Sequence, residues 1–393
     1  MIKKVVLDKA DRLYHFPFEI EDFFPRNQSL RHSSRFSLID LGHFVWPINE
    51  TSFAGNDNPV ALANPEDILS LKSLLSAWLK DAFKLSIDPR KEIYLGQGIR
   101  RIILDLCLAF VEPGDIVLCP EPGHPIYLRH IITAGGIPVT YPLTERTEFK
   151  PSLKRLSPNL LKSAKIMILN SPNNPMGIML DETALAELIH TASKENLFLV
   201  NDAAYSSLAE EKYSSLLSIH RAERASLEIF SIPLAFGLPY FPLGFAIGSP
   251  EIISGLEAIG KTAGNHIPKG WVTCSMKGID NYPSDSLKKI RKGMTQSRLA
   301  AFQAAERLGW KVCGGNQSPF IWLRIPGRRQ SIPFASTLLR RRGILTLPGN
   351  AFGDSGEGYL RLSLTASPDD YKTAGERFMG RQFTDEKANR RSK

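Results

Sequence analysis

Long apolar runs are missing from this chain of 393 residues. Nothing in it approaches the roughly 18 consecutive apolar residues of a membrane-spanning helix, and the N-terminal stretch MIKKVVLDKADRLYHF lacks the apolar segment of a secretory signal peptide. The few cysteines stand far apart without a C-x-x-C pair, which argues against disulfides and a zinc site: Cys107, Cys119, Cys274 and Cys313. We therefore expect a cytoplasmic protein that does not contact membranes.

A strong excess of one charge is also missing. The 49 Lys and Arg residues against 40 Asp and Glu residues leave a formal net charge of +9, spread along the chain. Such a balance favours a solvated basic surface with a preference for anionic ligands over a nucleic-acid-binding protein. The 43% of hydrophobic and 23% of charged residues indicate a globular protein and exclude a disordered, collagen-like or coiled-coil chain.

Short apolar runs alternate with helical patterns between residues 90 and 250. The runs at 116–119, 165–169 and 197–200 predict buried strands, and the patterns at 99–111 and 182–195 predict helices. Polar residues follow the strand ends. This alternation is typical of an α/β fold with a mostly parallel sheet, whose ligand site lies at the carboxyl ends of the strands.

The pattern changes after about residue 283. A long amphipathic helix at 284–308 precedes shorter strands at 319–323 and 358–362, which flank a helix at 332–342. This order predicts a smaller α+β domain. We expect three parts, which are an N-terminal arm that belongs to the small domain (1–50), a large domain (51–283) and a C-terminal small domain (284–393).

Three motifs carry a resemblance to a known family. They are NSPNNPMG at 170–177, DAAY at 202–205 and GDSGEGYLRLSL at 353–364. In this order and at these distances they resemble the class I/II aminotransferases, which are fold-type I enzymes dependent on pyridoxal 5′-phosphate (PLP). The DAAY variant is most similar to the LL-diaminopimelate aminotransferase branch.

The resemblance covers about residues 35 to 370. It implies the fold-type I architecture, with helices on both faces of a mostly parallel sheet and a smaller α+β domain. It also implies a homodimer, the cofactor PLP, and transfer of an amino group between an L-amino acid and a 2-oxo acid.

The resemblance assigns a role to each retained polar residue. Asp202 matches the carboxylate that keeps the pyridine nitrogen protonated, so that the ring accepts electrons from the substrate. Asn174 and Tyr205 match the pair that binds the 3′-oxygen of the ring, and Asn174 also lies on the substrate side. Arg361 matches the arginine that holds the substrate α-carboxylate by a bidentate pair. Each residue also has a structural alternative that stays open. The alternatives are a helix cap or turn for Asp202, a turn between two prolines for Asn174, a core tyrosine for Tyr205 and a solvent-facing strand arginine for Arg361.

The phosphate and ring-stacking positions follow from the same resemblance. Gly98 precedes a helix, and the amides of Ile99 and Arg100 match those that face the phosphate. His124 falls where the family stacks an aromatic on the ring, although a surface loop histidine explains it equally well. Ser231 is retained from the S-x-S-K stretch of the family.

Several positions depart from the family pattern. Leu234 stands at the position of the lysine that forms the Schiff base, and Pro242 stands at the position of the arginine that pairs with the phosphate. Ile99 replaces a serine of the phosphate loop, and Phe44 replaces a glycine near the substrate carboxylate. Leucine can neither form an imine nor carry a proton, and proline has no charge and no amide donor. No catalytic residue remains at these positions, so PLP, if bound at all, is expected to bind non-covalently.

Three functional hypotheses remain open. The first is an aminotransferase-like protein that has lost ordinary transamination and binds an amino acid or another small anion. The second is a working aminotransferase with an unrecognised lysine, for which Lys261 and Lys269 would need large chain rearrangements. The third is a lysine-free enzyme that uses PLP or pyridoxamine phosphate. Arg100 and Arg101 are the two candidates for supplying the lost phosphate charge.

Overall fold

The structure, a computed structural model, describes residues 9–17, 20, 36–47, 61–219, 226–327 and 329–379. Its α-helices are α1 Pro65–Phe83, α2 Ile99–Phe110, α3 Ile126–Ala134, α4 Pro158–Ser163, α5 Glu182–Lys194, α6 Ile232–Phe236, α7 Pro250–Thr262, α8 Lys269–Asp280, α9 Asp285–Arg307, α10 Ser331–Arg342 and α11 Pro368–Met379. Its strands are β1 Ile39–Asp40, β2 Ile93–Gly96, β3 Ile116–Glu121, β4 Ile137–Pro142, β5 Ala164–Asn170, β6 Phe198–Asp202, β7 Ser226–Ser231, β8 Gly244–Ile247, β9 Val312–Gly314, β10 Phe320–Arg324, β11 Ile344–Leu345, β12 Leu347–Pro348 and β13 Tyr359–Ser363.

Seven strands form the large sheet, in the order β2-β8-β7-β6-β5-β3-β4. The strands from β7 to β4 are parallel to their neighbours, and β8 runs antiparallel to both β2 and β7. The central parallel strands β5 and β6 are largely buried on both faces, which explains why they read as near-continuous apolar runs, whereas the edge strand β4 is partly exposed. The mostly parallel sheet is as predicted.

The register of the sheet brings polar strand ends together. Asn170, the last residue of β5, pairs with Asp202, the last residue of β6. Ser231 ends the next parallel strand, β7. The functional side chains expected at carboxyl ends of strands therefore lie at one edge.

The smaller sheet is antiparallel, in the order β12-β13-β10-β9. Trp322 at its centre is fully buried and stacks on Tyr359 with ring centroids 5.0 Å apart. The long helix α9 begins after Ser284, whose hydroxyl accepts from the amide of Leu287 and caps the helix. The predicted helix and strand bounds of this part hold to within one residue at most ends.

Part of the N-terminal arm lies among the described residues. Its strand β1 pairs in parallel with β11, and Trp46 donates from Nε1 to the carbonyl of Leu238 at 2.7 Å. The carbonyl of Leu41 also accepts from the amide of Ser363 in β13, so the segment contacts both the small sheet and the chain that follows β7. No helix among the described residues is both long and apolar enough to cross a membrane.

Candidate active site

A cavity of about 690 Å³ lies at the carboxyl ends of β5, β6 and β7. Every site residue expected from the sequence lines it: Gly98, Ile99, Arg100, His124, Asn174, Asp202, Tyr205, Ser231, Leu234 and Arg361. Phe44 and Pro242, which we interpret from the sequence as departures from the family pattern, line it as well. The fold thus gathers residues that are 317 positions apart in the chain, from Phe44 to Arg361, around one space.

Asp202 is the buried carboxylate of the cavity. Its Oδ2 accepts from the hydroxyl of Tyr127 at 2.7 Å, and its Oδ1 accepts from the amide of Ala204 at 3.1 Å. Burial raises the pKa of Asp202 to about 6, although both hydrogen bonds oppose that rise. The side chain is therefore mostly ionised at neutral pH. The bond to the amide of Ala204 is the turn contact that the structural alternative predicts, and Asp202 lines the cavity as well.

Arg361 is buried with 4% exposure, which excludes the solvent-facing alternative. Its Nη1 donates to Asn174 Oδ1 at 3.1 Å, and its Nη2 donates to the carbonyl of Gly42 at 2.8 Å. The guanidinium carbon lies 4.2 Å from the ring centroid of Phe320 and 5.2 Å from that of Phe352. The guanidinium is thus fixed by acceptors at its end and by rings beside it.

Asn174 is held in place from its backbone. Its amide donates to Asn170 Oδ1 at 2.8 Å, and Asn170 Nδ2 donates to the carbonyl of Asp202 at 2.8 Å. The side chain of Asn174 also hydrogen-bonds Tyr205. A buried polar network therefore joins the loop after β5, the end of β6 and Arg361.

Helix α2 points its N-terminus at the cavity. Gly98 is its N-cap with φ +86°, a backbone conformation that favours glycine. A Cβ added to Gly98 would lie 3.4 Å from Pro242 Cβ, so the uncharged proline stands against the helix N-terminus. Arg101 bonds Asp105 and the carbonyl of Ala263, whereas Arg100 lines the cavity. Of the two arginines considered from the sequence, only Arg100 is positioned to face a ligand there.

Leu234 lies in α6, the short helix that begins directly after β7. It is 6% exposed and belongs to an apolar cluster with Leu287 and Met294. Among the described residues that line the cavity, none is a lysine. Lys261 lines a different cavity, and Lys269 Nζ lies 3.7 Å from Asp67 Oδ2. Neither lysine lines the candidate site, so either would need the large chain rearrangement expected from the sequence to reach it.

His124 and Ser231 both line the cavity, and His124 also makes structural contacts of its own. His124 Nδ1 accepts from the amide of Ile126 at 3.2 Å, and its ring meets that of Tyr127 edge-on at 6.3 Å. Ser231 ends β7 and precedes α6 without a side-chain cap bond. The histidine therefore helps to begin helix α3, which is a role that sequence reasoning did not consider.

Two contacts of the site were missed from the sequence. The first is the hydroxyl of Tyr127, which lies 75 residues from the Asp202 that it bonds. The second is the carbonyl of Gly42, which meets Arg361 across 319 residues. Every residue has a main-chain carbonyl, so residue type does not reveal that Gly42 accepts a hydrogen bond. Tyr127 lies in an apolar helix, where a tyrosine is also expected as a core residue, so the sequence did not indicate its contact with Asp202.

The comparisons with known proteins identify the family. The family model for aminotransferase class I and II matches residues 49–378. The chain belongs to this family. The family is one of PLP-dependent enzymes of fold type I, so the resemblance in fold and cofactor is confirmed.

The similar proteins carry aminotransferase names. The chain is 32% identical to the LL-diaminopimelate aminotransferase of Aquifex aeolicus over 378 residues, which cover 94% of this chain and 97% of that protein. It is 30% identical to the protein of the same name from Halothermothrix orenii, over 79% of this chain and 80% of that one.

Solved structures share the fold. An aspartate aminotransferase mutant from Thermus thermophilus superposes with a TM-score of 0.84 at 21% identity, covering 95% of this chain and 99% of that one. A substrate-bound BacF structure from Bacillus subtilis gives 0.83 at 23% identity, covering 95% and 98%.

The residues present fit PLP only in part. The carboxylate of Asp202 and the polar groups of Asn174 and Tyr205 suit the pyridine ring, and the N-terminus of α2 suits an anion. The described lining offers no amine for covalent attachment, and Pro242 offers the phosphate no charge.

Proposed function

We propose that this chain is an aminotransferase-like protein that binds PLP or a related small anion non-covalently and does not carry out ordinary transamination. The single observation that carries the proposal is the apolar Leu234 in a cavity whose described lining contains no lysine. Transamination in this fold needs a primary amine that attaches the cofactor and moves a proton at the substrate Cα. A buried leucine side chain can do neither.

The retained residues support binding of a ring and a carboxylate. We propose that Asp202 faces a pyridine nitrogen, that Asn174 and Tyr205 face a 3′-oxygen, and that His124 lies near the ring face. Ser231 and the helix start at Gly98 and Ile99, with Arg100, would receive the phosphate. We propose that Arg361 corresponds to the arginine that holds the substrate α-carboxylate in the family.

The decisive experiment is borohydride reduction in the presence of PLP. The protein is mixed with PLP, reduced, digested and examined by mass spectrometry for a lysine peptide that carries the phosphopyridoxyl group. We expect no stoichiometric labelled peptide. The LL-diaminopimelate aminotransferase of Aquifex aeolicus serves as a parallel sample to show whether the reaction conditions label a relative. One stoichiometrically labelled lysine in this chain would refute the proposal.

A gain-of-function pair tests the same positions directly. Leu234→Lys with Pro242→Arg places an amine and a charge where the family pattern has them. We expect the double variant to acquire an absorbance band with PLP that borohydride removes, because Leu234 already lines the same space as Asp202. Leu234→Met is the matched control, since it keeps the volume without an amine. No band in the double variant would count against the assignment of these positions.

A second candidate function is a lysine-free enzyme that uses PLP or pyridoxamine phosphate. It is favoured by the retention of Asp202, Asn174, Tyr205 and Arg361 around one cavity. Saturable binding of pyridoxamine phosphate, together with turnover of an amino acid by the unlabelled protein, would support it over the first proposal.

We also propose a homodimer. Members of this family are typically dimers, and the match covers most of the chain. Sedimentation equilibrium tests this, and a monomer at micromolar concentration would contradict it.

A further inference from the structure

We infer that the cavity selects pyridoxamine phosphate over its amino-acid adducts, because Phe44 closes the carboxylate side. This inference rests on the proposed function. It concerns the ring cluster, which is defined as Phe44, Tyr205 and Phe320. The three rings meet edge-to-face in every pairing, with centroids 6.2 Å apart for Phe44 and Tyr205, 5.5 Å for Phe44 and Phe320, and 5.3 Å for Tyr205 and Phe320. Aromatic pairs in this arrangement attract each other beyond their buried area.

The ring cluster lies directly against the carboxylate arginine. The guanidinium of Arg361 packs on the ring of Phe320 at 4.2 Å, and each of its terminal nitrogens already donates to a protein acceptor. One of those acceptors, the carbonyl of Gly42, lies two residues before Phe44. A substrate carboxylate would therefore have to compete with these acceptors and displace the Phe44 ring.

The backbone that carries Phe44 is fixed on both sides. Before it, Asp40 Oδ1 accepts from the amides of Gly42 and His43, each at 3.0 Å, and Asp40 Oδ2 lies 2.6 Å from His43 Nδ1. The amide of Leu41 donates to Leu345 at 2.9 Å, and the carbonyl of Leu41 accepts from Ser363 at 2.8 Å. These contacts fix the backbone that carries the ring.

The segment is also held after Phe44. The amide of Val45 donates to Thr365 Oγ1 at 3.2 Å, and Trp46 Nε1 donates to the carbonyl of Leu238. Moving the phenyl ring out of the cavity by a backbone shift would break several of these hydrogen bonds, so the segment resists such a shift.

The cavity also offers groups that suit a phosphate. The N-terminus of α2 and Arg100 line it, together with Asp202. A ligand with a pyridine ring and a phosphate satisfies this distribution of charge. A ligand that adds an amino-acid carboxylate brings its second anion to the side where the ring cluster stands.

Calorimetric titration of the full chain tests the inference with two stable compounds. Pyridoxamine phosphate carries no carboxylate. N-(5′-phosphopyridoxyl)-L-alanine, a secondary amine, adds the carboxylate of an amino acid. We expect the alanine compound to bind at least tenfold more weakly than pyridoxamine phosphate. In Phe44→Gly we expect its affinity to rise at least tenfold, with a change of less than threefold for pyridoxamine phosphate.

Val45→Gly is the matched control, because it places a glycine in the same segment but removes a side chain that is 58% exposed. It should change neither affinity more than threefold. Equal or tighter binding of the alanine compound by the natural chain would overturn the inference alone, as would a lack of any gain in Phe44→Gly. Absence of binding for both compounds would overturn the inference together with the cofactor part of the proposed function.

Discussion

The burial of Asp202 makes the stability of the ligand-free protein depend on pH in a defined direction. Burial raises the pKa of this carboxyl from its ordinary 3.8 to about 6. The folded chain therefore holds a proton at pH 5 that the unfolded chain has released. Because the folded state binds more protons in this window, its stability falls as the pH rises through it.

The magnitude follows from the shift. A difference of about 2.2 pKa units corresponds to about 3 kcal/mol, present in full below the unfolded pKa and lost above the folded one. Between about pH 4.5 and pH 8, the part that is lost comes to about 2 kcal/mol. Asp202→Asn removes the titrating group. The free energy of unfolding of the variant, relative to that of the natural chain, should therefore rise by about 2 kcal/mol between about pH 4.5 and pH 8.

Urea unfolding of both proteins at each pH measures this difference. All other titrating groups are common to the two chains, so their contributions cancel. A constant offset is expected, because asparagine has one acceptor oxygen where the carboxylate has two, so either the Tyr127 hydroxyl or the Ala204 amide loses its acceptor. Only the change with pH is diagnostic. A difference that stays constant, or that moves in favour of the natural chain at high pH, would refute the reasoning.

Three further substitutions probe the site and its support. Tyr127→Phe removes the hydroxyl that donates to Asp202 at 2.7 Å, which should raise the pKa of that carboxyl by about one unit. The pH midpoint of pyridoxamine phosphate binding should therefore move upward. Tyr141→Phe is the control, because the Tyr141 hydroxyl bonds a main-chain carbonyl and its loss should leave the midpoint unchanged. Glu228→Leu removes a fully buried acceptor of four donors and should lower the free energy of unfolding by about 3–5 kcal/mol in urea, so that a loss below about 1 kcal/mol would contradict it. Gly98→Ala strains a positive φ and should lower the melting temperature and weaken titrated phosphate binding; an unchanged melting temperature would count against it.

The sequence alone predicts most of the fold, because the spacing of apolar residues and the positions of turn and cap residues indicate the same helices and strands. The runs that predict strands are buried on both faces in the sheet, and the polar residues at their ends, such as Asn170 and Asp202, fall in register at one edge. The long helix after residue 283 is predicted by Ser284 at its N-cap and by the spacing of its apolar residues. These features are local, so a single chain displays them.

Contacts across the chain could not be predicted in the same way. The ring cluster joins Phe44, Tyr205 and Phe320, which no local pattern connects. The bond of Tyr127 to Asp202 depends on the orientation of α3 against the end of β6. The resemblance supplied roles for residues at positions that the family pattern covers, but it assigned none to Tyr127 or Phe320.

The proposed departure at Leu234 differs from the retained Asp202 and Arg361 in the surroundings of the side chain. Asp202 and Arg361 keep protein partners in the structure, namely Tyr127 for the carboxylate and Asn174 for the guanidinium. A lysine at position 234 would instead place an amine in an apolar cluster, where its charge costs free energy unless a cofactor engages it. Leucine at that position removes this cost. The polar groups that persist are therefore those that the fold satisfies by itself, so their retention indicates an intact scaffold and does not by itself indicate a surviving reaction.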